Sequence, residues 1–284
     1  MMTTTMSRRA LLAGAATASL LPARTLKTIG VQLYTVRSVI EQATLETLQA
    51  IEQTGFREVE ATYGNLDKIW PSLQKTKLKP VSLHLDTAMF TTQQDKLQAA
   101  IDDAAGKGFK YVVCPYVMPK DRGGADVMKK LADTLNKAGA KARQSGMTLC
   151  YHNHAFEFAK EGGKTLLDHL LDASDPKTVQ LEMDVMWVTV AGADPVALLK
   201  QYQGRAPLLH LKDLNKDEPT PRLDEGIKRT SFAEVGNGRI DFAKVLGAAS
   251  AHGAKHFFVE QDQTPGAPVD SLRTSFANLR KINY

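Results

Sequence analysis

Residues 147–154 read MTLCYHNH, a short apolar run that closes on two histidines separated by one asparagine. Seven other runs share this design: TIGVQLY (28–34), FREVEATY (56–63), PVSLHLD (80–86), KYVVCPY (110–116), VQLEMDV (179–185), APLLHLKD (206–213) and HFFVEQD (256–262). Between them lie longer stretches with apolar residues at three-to-four spacing. TLETLQAIEQTG ends at Gly55, and in DPVALLKQY Asp194 reads as a cap with Pro195 in the first turn. Eight strand-then-helix units predict a closed parallel (β/α)8 TIM barrel, a single domain over residues 28–284, with an open doubly wound sheet as the alternative. A chain of 284 residues suits one core of that size.

Bulk properties exclude several functions. The formal net charge of +5 includes Arg8 and Arg9 and contains no basic block, so nucleic acid is not the expected partner. The two cysteines, Cys114 and Cys150, sit in apolar runs and read as buried small hydrophobes rather than a disulfide. Within residues 1–23, SRRALLAGAATASLLPA joins two arginines to an apolar stretch and small residues, with cleavage expected after Ala18 or Ala23. It resembles a twin-arginine export signal. About a dozen apolar residues are too few for a membrane span, which needs roughly twenty. The expectation is therefore an exported, periplasmic protein that meets the twin-arginine machinery and has no span in its mature form.

In a parallel barrel the working residues stand at the C-terminal ends of the strands. Here those ends carry Gln32 and Tyr34, Glu60, His84, His152 and His154, Asp184, His210 and Lys212, and Glu260. An apolar run that ends in His, Asp or Glu loses stability unless the group is paired or bound, and several doing so at equivalent places point to one shared site. His152, Asp184, His210 and Glu260 close the last four strand units that bear such groups and together suit a divalent metal such as Mn, Co, Zn or Fe. His154 follows His152 by two, so a continuing strand would turn both rings to one side, with one binding metal and the other moving a proton. Glu157 either pairs with one of them or faces solvent. His84 and Glu60 are candidate proton carriers or hydroxyl partners. Lys212 aims at a substrate oxygen or pairs with Asp213. Gln32, Tyr34, Asn153 and Trp187 are candidate substrate contacts, with Trp187 ahead of Trp70 as a sugar platform. Glu182, two before Asp184, points into the barrel. From Lys212 to Arg239 the chain is charged and aperiodic, a length that suits a lid or binding loop. Its GNGRID lacks the third glycine of a dinucleotide fingerprint, which removes a nicotinamide site.

GVQLYTVR (30–37), YHNHAFEF (151–158), EMDVMWVTVAGADP (182–195), LLHLKD (208–213), EVGNGRIDF (234–242) and VEQD (259–262), in that order, resemble the sugar phosphate isomerase/epimerase group of xylose-isomerase-like barrels. The resemblance implies a divalent metal, with Mg as well as Mn, Co or Zn among its identities, held by Glu, Asp, His and Glu and chelating a ketose. Asp184, His210 and Glu260 match three of those positions. His152 stands where the fourth is commonly glutamate. A neutral imidazole bound through one nitrogen has no second lone pair for a proton, which disfavours two-base epimerisation. What the resemblance then implies is proton removal beside a ketone through an enediolate, followed by eliminative cleavage or dehydration of a keto-sugar or 3-keto-glycoside, or by isomerisation. A non-catalytic periplasmic carbohydrate-binding barrel and a metal-dependent nuclease are the competing readings. The low net charge counts against the nuclease. A homo-oligomer is compatible with the sequence.

Overall fold

The computed structural model describes residues 24–284. Eight parallel strands close into a barrel: β1 (Gly30–Gln32), β2 (Glu58–Thr62), β3 (Lys79–His84), β4 (Tyr111–Cys114), β5 (Thr148–His152), β6 (Val179–Asp184), β7 (Leu208–Leu211) and β8 (His256–Val259). Seven of the eight runs read from the sequence contain one strand each, and β3 starts one residue before its run, at Lys79. β1 pairs with β8 through Gly30 and Phe258 to close the ring. Gly30 is required there, because a Cβ would stand 2.5 Å from the Phe258 ring.

Among the described residues, eight helices of seven or more residues surround the barrel: α1 (Thr44–Thr54), α2 (Leu66–Leu73), α3 (Leu97–Gly106), α4 (Ala125–Gln144), α5 (Leu166–Ala173), α6 (Pro195–Gln201), α7 (Phe242–Ala251) and α8 (Pro268–Leu279). The caps are the expected ones. Asp194 accepts from the Val196 N–H at 2.9 Å, Asp241 from that of Lys244 at 3.1 Å, and Gly55 ends α1 at φ 121°.

The main core lies between barrel and helices. A separate apolar cluster of Val81, Tyr111, Val113, Cys150, Leu208 and Phe258, drawn from five strands, plugs the lumen. Cys150 belongs to it, whereas Cys114 packs in the main core. Both are free, and burial pushes both thiols up, so they are inert fillers. Above the plug the inward positions turn polar.

Two boundaries differ from the sequence reading. The N–H of Arg24 donates to the Tyr284 carbonyl and that of Tyr284 to Arg24, each at 2.9 Å, with Leu26 and Ile29 buried, so the barrel body includes residues before 28. The export segment at 1–23 lies outside the described residues. Strand β5 also ends at His152 rather than continuing to His154. Among the described residues no helix is long and apolar enough to cross a membrane.

Candidate active site

Alternation along β5 to β7 and at the end of β8 sends His152, Asp184, His210 and Glu260 into the barrel mouth, where one donor atom from each lies within 4.8 Å of the others. His152 Nε2 faces His210 Nδ1 at 3.1 Å and Asp184 Oδ2 at 3.4 Å. His210 Nδ1 stands 2.7 Å from Glu260 Oε2 and 3.9 Å from Asp184 Oδ2. A tetrahedral ion with ligands at about 2.1 Å has edges of about 3.4 Å, so the set is of the right size to close around a divalent cation. The chemistry also fits, because two carboxylates and two imidazoles suit metals of borderline hardness. Asp184 Oδ2 is buried without an aligned hydrogen-bond donor. Burial opposes charge on Asp184 and Glu260, but Lys212, with the neighbouring imidazoles, holds both carboxyls well below the usual carboxylate range.

Lys212 is buried, and its Nζ lies 3.1 Å from Asp184, 2.8 Å from Glu260 and 3.0 Å from Asp262. Its neighbour Asp213 is not its partner. The Asp213 carboxylate accepts from the N–H groups of Gly236 (2.9 Å), Gly238 (2.8 Å) and Ile240 (3.1 Å), which pins the returning end of the long loop. A Cβ on Gly238 would collide with that carboxylate, and Gly236 holds φ 89°, which together explain the two glycines of GNGRID.

A second polar layer backs the first. His210 Nε2 faces Glu60 at 2.5 Å, and His84 Nε2 lies 3.0 Å from Glu60 and 2.8 Å from Glu182, while Gln32 donates to Glu60 at 2.8 Å. A carboxylate behind a ligating histidine fixes its ring and tautomer. Burial opposes charge here too; His84 and His210 nonetheless keep the Glu60 carboxyl low, and Glu60 with Glu182 raises His84 to about 9.

The cavity above these layers measures about 540 Å³ and is lined by Tyr34, His84, Tyr116, His152, His154, Trp187, Lys212, Glu225, Phe232, Glu260 and others. Of the sequence candidates, Tyr34, His84, His154, Trp187 and Lys212 therefore reach its wall. Gln32, Glu60 and Asn153 do not. They are fully buried, Gln32 and Glu60 behind His210, and Asn153 accepting from the Asp184 N–H at 3.1 Å. Their expected contact with substrate is replaced by a positioning role.

His154 lies just past the end of β5, its ring 4.8 Å from that of His152 and 4.7 Å from Tyr116. Its Nδ1 is buried without a partner, and burial, then His152 and Lys212, hold its pKa well below the ordinary histidine value. Glu157 neither faces solvent nor pairs with a histidine ring; it accepts from the Tyr151 hydroxyl at 2.7 Å and the His154 N–H at 2.9 Å, and burial raises it to about 8. Sequence reading missed the clasp over the mouth, in which Glu225 of the long loop accepts from the Tyr116 hydroxyl at 2.6 Å and from Arg122 at 2.8 Å.

These features define an eight-stranded parallel barrel with its polar site at the strand ends. Residues 48–282 match the xylose isomerase-like TIM barrel family, and the chain belongs to it. Inosose dehydratase of Clostridium perfringens is 34% identical over 146 residues, covering 48% of each chain, and that of Lacticaseibacillus casei is 29% identical over 154 residues. This chain thus spans about half the length of the curated relatives it matches. Among solved structures, a sugar phosphate isomerase/epimerase from Parabacteroides distasonis superposes with a TM-score of 0.75 at 22% identity, covering 94% of this chain and 98% of that one. The IolI protein, solved with a zinc atom bound, gives 0.68 at 17% identity, covering 88% and 96%.

Proposed function

We propose that the protein is a divalent-metal-dependent enzyme that removes the proton beside the ketone of a cyclic keto-sugar, keto-inositol or 3-keto-glycoside, and completes the reaction by elimination. The observation that carries this reading is a cavity-lining histidine, His154, set beside four convergent metal-ligand side chains. When bound, a cation at His152, Asp184, His210 and Glu260 supplies Lewis acidity toward a carbonyl oxygen. The His154 ring, which lines the cavity, takes the proton from the adjacent carbon. The electron pair left behind forms a double bond as the oxygen on the next carbon departs, and that oxygen leaves with a proton as water or an alcohol. Trp187 and Phe232 give the ring an apolar wall, and the clasped loop limits water.

Two points favour elimination over epimerisation. A histidine at the β5 ligand position leaves no second carboxylate oxygen to reprotonate the opposite face. The dehydratase similarity supports loss of water. Isomerisation through the same enediolate is the second reading, supported by the likeness to isomerase/epimerase structures. Incubating the metal-loaded protein with a keto-inositol and 3-keto-glucosides and following products by NMR tests both: an unsaturated ketone or released aglycone is expected, and an isomeric sugar alone would replace elimination by isomerisation. Delivery to the periplasm through Arg8 and Arg9 belongs to the same proposal, and a double Lys substitution should abolish export in cell fractionation.

A further inference from the structure

The layer behind the first ligand set has its own unmet valence. Glu60 and Glu182 are fully buried, each uses one oxygen toward His84 and His210, and the Oε1 atom of each has no partner. A buried carboxylate oxygen without a donor costs free energy of the order of 1–3 kcal/mol or more, and two at one place call for a common positive partner. One donor atom from each of Glu60, His84, Glu182 and His210 falls within 4.8 Å of the others, the same convergence as in the first set, and His210 is common to both. His84 lines the cavity, so an ion there has a path from solvent.

Charge points the same way. The connected network holds the carboxylates of Glu60, Glu182, Asp184, Glu260 and Asp262 against one ammonium, Lys212. Lys212 contacts Asp184, Glu260 and Asp262 but neither Glu60 nor Glu182, and a divalent ion between those two would offset both of their charges. We propose that Glu60, Glu182 and His84 hold a second divalent cation of borderline hardness, such as manganese, with His210 as the shared wall between two adjacent metal positions. It would place a second positive centre beside the cavity, where a departing oxygen could be met. The inference does not depend on which sugar is turned over.

The test is the stoichiometry of manganese bound to chelator-stripped protein, measured by elemental analysis after removing free metal, with anomalous diffraction to place the ions. Wild type should bind two per chain, and Glu182→Gln and the partly exposed His84→Gln one each, retained at the Asp184 set. One ion per chain in saturated wild type, or two in both variants, would overturn the proposal. Either result leaves the proton-abstraction reading standing, since that reading is tested by substrate chemistry.

Discussion

Replacing Lys212 by Met removes the ammonium that three carboxylates share without shortening the side chain greatly. Its Nζ lies within 3.1 Å of Asp184, Glu260 and Asp262 in a buried site. Deleting one partner of a buried ion pair typically costs about 3–5 kcal/mol, because the remaining charge is left uncompensated. For a domain of this size each kcal/mol moves Tm by about 2–4 °C, so metal-free Lys212→Met should melt roughly 6–20 °C below wild type. A divalent cation supplies the missing charge to Asp184 and Glu260, leaving only Asp262 unpaired. Metal-free and manganese-loaded samples of both proteins, scanned by calorimetry at matched ionic strength, give the coupling directly. The variant should gain more from metal than wild type does. An equal loss in both conditions, or none in the metal-free state, would show that lysine and cation do not compensate the same carboxylates.

Three further outcomes follow from the geometry. Glu157 has a folded pKa of about 8 against 4.5 for the free group, so the folded state keeps a proton that the unfolded chain releases. Its contribution is fully present below about pH 4.5 and is lost as pH rises to about 8, with a ceiling of about 5 kcal/mol at about 1.4 kcal/mol per unit; Glu157→Gln should gain on wild type in Tm at pH 9 but not at pH 5, and parallel pH profiles would remove Glu157 from this role. His154→Gln should retain metal by elemental analysis and lose about 10²–10⁴-fold in turnover, whereas an unchanged rate would make His154 a packing residue. Gly238→Ala drives a methyl into the Asp213 carboxylate, so limited proteolysis within residues 215–231 should accelerate, and unaltered cleavage would contradict the anchoring of the loop by Asp213.

The barrel was legible because each strand is a short apolar run bounded by a helical period, and its end is marked by a residue too polar to bury alone. The same marks brought together His152, Asp184, His210 and Glu260, which lie far apart in sequence. Depth was not legible. Gln32 closes β1 as His84 closes β3, but Glu60 lies two residues inside the end of β2, level with Ser82 rather than His84, and of the three only His84 reaches the cavity. Adjacency offered Asp213 as an alternative partner for Lys212, but neighbours on an extended chain face opposite sides. Lys212 therefore shares the His210 side, while Asp213 turns to the loop at 236–240. The clasp of Glu225 on Tyr116 and Arg122 joins residues more than a hundred apart, and no local pattern encodes it.

Exchange of substrate hydrogen with D2O tests proton abstraction beside a ketone most directly. Metal-loaded wild type incubated in D2O with a keto-inositol or 3-keto-glucoside should place deuterium at the carbon adjacent to the ketone or release an unsaturated product, and chelator treatment or His154→Gln should suppress both. Tight binding of the same compounds with neither exchange nor product, in protein of confirmed metal content, would contradict the account and leave a carbohydrate-binding barrel.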